Sequence, residues 1–180
     1  MADRSACHGR ILIIGHSFVR RLRDWFDGKE VEVCGHRVTF CGWGGATVKT
    51  LRDKLAGTDV ANFCMVYVEI GSNDLCSEPG DIVASSLWAL VAYLRTHGAA
   101  QVIFGQVLFR TRRWAGGPSV EQLNDRMRDW MGERKDTYYW RHWGLHNPRH
   151  LAHDGVHINA RFMATYWRSV RGALIKNMHR

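Results

Sequence analysis

Ser17 is the residue whose neighbours best suit it to act as a nucleophile. The apolar run Ile11-Leu12-Ile13-Ile14 leads into Gly15, a pattern that suits a strand buried on both faces. Directly after Ser17, residues Phe18, Leu22, Trp25 and Phe26 recur at helical spacing. A serine at such a junction lies beside the unpaired N–H groups of a helix start, which stabilise negative charge. The same position equally suits a serine that only caps the helix. Polar groups also gather in three later stretches: Gly42-Trp43-Gly44-Gly45-Ala46-Thr47, Gly71-Ser72-Asn73-Asp74 and His153-Asp154-Gly155-Val156-His157. Each has an ordinary reading by itself. Gly44 and Gly45 permit a bend, Asn73 and Asp74 close a turn, Asp154 caps a local turn, and His157 is one of ten histidines.

The elements around these stretches decide whether they meet. Strand-like segments are Val31–Cys34, Arg37–Cys41, Phe63–Ile70, Gln101–Val107 and the aromatic Thr137–Trp140. Helical patterns carry Val48, Leu51 and Leu55, then run from Asp81 to His97 with Gly98 as the stop. Ser119 and Gln122 form a capping box for a helix to about Glu133, and Asn159 caps a final helix with Phe162, Tyr166, Val170 and Leu174. The stretch Arg110–Gly117 reads as a loop, and Arg141–Ile158 is long and irregular. Strand and helix alternate, which predicts a three-layer α/β/α sandwich around a parallel sheet of about five strands. Sites in such sheets lie beyond the carboxyl ends of the strands. All four polar stretches follow predicted strands, so topology brings them to one edge.

Bulk properties set the class. The 180 residues suit one domain, 1–180, with 1–9 as a flexible N-terminal segment; 46% are apolar and 23% charged, an ordinary globular mixture. Lys and Arg number 25 against 17 Asp and Glu, a net charge of +8, which suits an acidic partner such as RNA or anionic lipid. The arginines are dispersed, however, as a solvated surface would have them. Five cysteines without a C-x-x-C pair argue against a disulfide framework or thiolate zinc site and for a reducing compartment. Neither a signal peptide nor a bilayer-length apolar run is present. The expectation is a soluble, cytoplasmic protein.

Taken in order, the four stretches resemble the blocks of the SGNH hydrolases, the GDSL-type esterase and lipase superfamily. Gly15-His16-Ser17 is similar to the family's Gly-Asp-Ser, Gly44-Gly45-Ala46-Thr47 to its second glycine block, Gly71-Ser72-Asn73-Asp74 to Gly-x-Asn-Asp, and Asp154-Gly155-Val156-His157 to Asp-x-x-His. The resemblance covers nearly the whole chain and implies a flavodoxin-like fold. It implies Ser17 as nucleophile, His157 as general base and Asp154 as the group orienting it. The oxyanion hole would comprise the N–H groups of Ser17 and Gly45 and the amide of Asn73. The implied reaction is ester hydrolysis through an acyl-serine, on a small acyl group or a lipid, with no metal or organic cofactor.

His16 departs from the family's aspartate. A bulkier group that can donate is expected to disturb the loop holding Ser17, or to compete with His157 for its hydroxyl. Blocks of this kind also resemble SGNH domains of LINE-type retroelements. The competing class is therefore a catalytically weak or inactive module that binds RNA or anionic lipid through its arginines. Trp43, Phe109, Trp114, Trp143 and Leu145 either line an apolar pocket or pack on the core. Arg110, Arg112 and Arg113 either meet an acidic substrate group or form solvated surface.

Overall fold

A computed structural model of the chain describes residues 9–110, 120–145 and 148–178. Its strands are β1 (Arg10–Gly15), β2 (Glu32–Val33), β3 (His36–Gly42), β4 (Met65–Glu69), β5 (Val102–Gly105) and β6 (Thr137–Trp140). Its helices are α1 (Ser17–Trp25), α2 (Val48–Leu55), α3 (Gly80–Thr96), α4 (Val120–Gly132) and α5 (Met163–Met178). The sheet order is β2-β3-β1-β4-β5-β6. The five longer strands are parallel, and β2 adds an antiparallel edge against β3. The short segment at Val31–Cys34 therefore extends the expected five-stranded sheet to six. Numbered without β2, the parallel strands run 2-1-3-4-5, a doubly wound order whose direction reverses between β1 and β4. The loops after β1 and β4 flank that switch point.

Both faces of the sheet are covered. Leu12, Ile14, Val66, Val68 and Phe104 meet Leu51, Leu55, Leu87, Leu90, Leu123 and Met127 from α2, α3 and α4. On the other face Ile11, Ile13, Tyr67 and Ile103 meet Phe18, Leu22, Tyr166, Val170 and Leu174 from α1 and α5. Burial on both sides explains why β1 and β4 read as unbroken apolar runs. Among the described residues no helix is long and apolar enough to cross a membrane. The predicted cap Ser119 lies outside the described residues, as do Arg112, Arg113, Trp114 and residues 1–8 of the predicted N-terminal segment. Asn159 does cap, its Oδ1 accepting the Arg161 N–H at 3.1 Å, but it opens a short 3₁₀ turn (Ala160–Phe162) that runs into α5.

Candidate active site

The loop carrying Ser17 is built on close backbone contacts. Gly15 and Gly42 lie side by side in register. A β-carbon on Gly15 would stand 2.1 Å from the Glu69 carbonyl oxygen, and one on Gly42 2.2 Å from the Arg20 nitrogen. Neither position admits a side chain without moving backbone. The His16 N–H donates to the Glu69 carbonyl at 3.1 Å, turning the chain into α1.

The cap of α1 is His16, not Ser17. Its Nδ1 accepts the Phe18 N–H at 3.3 Å, and its Nε2 lies 3.0 Å from Ser72 Oγ. Because Nδ1 accepts, the proton of the neutral ring sits on Nε2 and is donated to Ser72. Burial, then the Arg110 charge and then His157 lower the His16 pKa from 6.5 to about 3, so the ring is uncharged near neutral pH. The expected disturbance is absent: imidazole accepts at the cap as a carboxylate would. Nor does His16 compete for Ser17, since both ring nitrogens are engaged elsewhere. Ser17 is 4% exposed, and as the first helical residue its N–H has no intrahelical acceptor.

Two further loops converge here. Gly45 adopts φ 70°, a left-handed conformation that only glycine takes at little cost. Asn73 Nδ2 donates to the Ala46 carbonyl at 2.7 Å, and Asp74 Oδ1 accepts the Val48 N–H at 2.9 Å at the start of α2. The third loop is thus laced to the second. Asp74 Oδ2 is buried without a hydrogen-bond partner among the described residues, and burial raises the Asp74 pKa.

Asp154 does two jobs. Its Oδ1 accepts the N–H groups of Val156 and His157, each at 2.9 Å, which closes the local turn. Its Oδ2 lies 2.7 Å from His157 Nδ1. These bonds, the His157 N–H first, hold the Asp154 carboxyl well below the usual carboxylate range. A carboxylate only accepts, so Nδ1 carries the His157 proton and Nε2 is left as a base. The turn is braced by an antiparallel bridge between Leu151 and Ile158. Among the described residues Asp154 and His157 are joined directly, whereas Ser17 Oγ forms no hydrogen bond to His157.

Sequence reasoning missed the anchor of the last loop. Buried Glu69 Oε2 gathers Tyr67 Oη at 3.0 Å, Tyr166 Oη at 3.1 Å and His142 Nε2 at 3.0 Å. His142 and Tyr166 bracket the segment that carries Asp154 and His157, so both its ends are pinned to one carboxylate at the end of β4. The signal was available, because a glutamate inside the apolar run Phe63–Ile70 requires buried partners. Of the aromatic candidates, Trp43 packs against the core and Leu145 is buried within it, whereas Phe109 and Trp143 are 57% and 45% exposed. Arg110 is neither solvated nor open to solvent, at 5% exposed.

No family model matches the sequence, and no curated protein matches it. Solved structures do. A Streptococcus pneumonia protein provisionally described as a platelet activating factor superposes with a TM-score of 0.71 at 16% identity, covering 91% of this chain and 83% of that one. The acetylxylan esterase Axe2 of Geobacillus stearothermophilus gives 0.64 at 17% identity, covering 89% and 91%. A carbohydrate esterase family 3 protein from Talaromyces cellulolyticus gives 0.65 at 14%, covering 93% and 96%. Identities this low speak for architecture alone. With its 2-1-3-4-5 parallel sheet, helices on both faces and near full-length superposition, this chain shares the α/β/α fold of these esterases.

Proposed function

We propose that the protein is a serine esterase of the SGNH type, cleaving a carboxylic ester of small acyl group, such as acetyl, through an acyl-serine intermediate. The observation that carries this reading is the 2.7 Å Asp154–His157 pair, which leaves His157 Nε2 as a base. Ser17 Oγ attacks the ester carbonyl carbon as its proton passes to His157 Nε2. The imidazolium is stabilised by Asp154, which also holds the tautomer. The oxyanion is met by the N–H groups of Ser17 and Gly45 and the free N–H of Asn73 Nδ2. Removing one such donor typically costs about 10²- to 10³-fold in rate. Collapse expels the alcohol, which takes the proton from His157. Water then attacks the acyl-Ser17 ester, giving its proton to His157, and collapse returns Oγ–H and releases the acid. Ser17 Oγ and His157 share no hydrogen bond among the described residues, and catalytic hydrogen bonds of this kind commonly tighten only with substrate bound.

The acetylester-cleaving neighbours support this substrate class. The binding-module alternative has less behind it: Arg110 is buried beside Asn73, and Arg23 and Arg128 are ion-paired with neighbouring aspartates. A fluorophosphonate probe tests the proposal, since it reacts only with an activated serine. Wild type is expected to label and to hydrolyse 4-nitrophenyl acetate, and Ser17→Ala to do neither. A folded wild type that stays unlabelled, or equal labelling of Ser17→Ala, defeats the reading.

A further inference from the structure

Arg110 sits on the segment that leaves β5, where Asn124 anchors the backbone by exchanging two hydrogen bonds of 2.9 Å with Val107. An arginine this buried requires partners, and its guanidinium spans two residues of the third loop. Nη1–H donates to Asn73 Oδ1 at 3.1 Å, and Nη2–H donates to Ser72 Oγ. Ser72 Oγ also receives the His16 Nε2–H, and His16 Nδ1 caps the helix that begins at Ser17. One line of hydrogen bonds therefore runs from the start of α1 through His16, Ser72 and Arg110 to the Asn73 amide. Guanidinium only donates, so the Asn73 oxygen must face it and the amide NH₂ must face away. The Ala46 carbonyl takes one of those two N–H bonds, leaving the other for a ligand oxygen. A planar fork can hold two acceptors at once, which an ammonium group does not reproduce.

We propose that Arg110 is a positioning residue for ester hydrolysis. It holds the Asn73 amide in its oxyanion-binding orientation and ties it, through Ser72 and His16, to the loop that presents Ser17. The inference rests on the serine-esterase reading above. It gives Arg110 a role inside the protein, distinct from the contact with an acidic substrate group open to it in sequence.

The test compares Arg110→Ala and Arg110→Lys with wild type in steady-state hydrolysis of 4-nitrophenyl acetate, with thermal unfolding recorded alongside. Arg110→Ala is expected to lose about 10- to 10²-fold in kcat, less than deletion of an oxyanion donor itself, with KM within about twofold. Millimolar ethylguanidinium is expected to restore part of that kcat while leaving wild type unchanged, a response that general destabilisation would not produce. Arg110→Lys keeps the charge, loses the fork and is expected to remain impaired, which also gives a readout if the alanine variant does not fold. Unchanged kcat in either variant overturns the inference. So does a loss that merely follows the folded fraction without rescue. A wild type that fluorophosphonate does not label overturns this inference together with the esterase reading; a labelled wild type with a fully active Arg110→Ala overturns this one alone.

Discussion

His16 makes the fold acid-sensitive in a calculable way. Its folded pKa is lowered to about 3 against 6.5 in the unfolded chain, so the unfolded state binds a proton that the folded state refuses. The stability tied to the neutral ring is therefore complete above the unfolded pKa and is lost as pH falls from about 6.5 towards 3. Each pKa unit corresponds to about 1.4 kcal/mol, so the whole interval is worth about 5 kcal/mol, of which about 2 kcal/mol is gone by pH 5. The ring is 1% exposed, so solvent screening relieves little of this. Urea unfolding at pH 7 and pH 5, on wild type and His16→Asn, isolates the effect. Asparagine can accept the Phe18 N–H at the cap but does not titrate, and the other histidines are common to both proteins. Wild type should lose about 2 kcal/mol more than His16→Asn between the two pH values. Ser72, which bonds the ring, and Arg110 and His157, whose charges also lower its pKa, are unchanged in the variant. Equal pH slopes in the two proteins would refute the reasoning.

Other perturbations test the remaining parts of the site. Asp154→Asn removes the acceptor that sets the His157 tautomer, and kcat should fall about 10³- to 10⁴-fold with little change in KM, measured by steady-state kinetics. Gly15→Ala places a methyl group against the Glu69 carbonyl, which is backbone and cannot rotate away. The urea midpoint should fall, reporting a loss of about 1–3 kcal/mol or more. Glu69→Ala strips the shared acceptor from Tyr67, Tyr166 and His142. Each buried donor left without its acceptor costs about 1–3 kcal/mol, and limited proteolysis should cut faster between positions 142 and 166. Unchanged cleavage there would mean that the loop is held by something other than this carboxylate.

Much of the architecture was legible because it depends on local pattern. The unbroken apolar runs of β1 and β4 follow from burial on both faces, and the helical spacing of α3 and α5 follows from one buried side. Alternation then brings four loops to one sheet edge, and Gly45 could be read as a residue that needs a left-handed backbone. The short edge strand β2 was harder, because two residues carry almost no period. His16 was misread for a different reason. Its type suggests a donor or a rival base, but only the surrounding fold decides which nitrogen carries the proton and whether the ring is charged.

Residue order along the chain thus determined the layers and the sheet edge to which the loops bearing Ser17, Gly45, Asn73, Asp154 and His157 run. Tertiary structure alone decided that His16 caps α1 as a neutral acceptor, that Glu69 pins both ends of the last loop, and that Arg110 turns inward onto Asn73. The physical reason is that these roles belong to buried polar groups. Such groups are defined by partners distant in sequence, whose donors and acceptors have no period to reveal them.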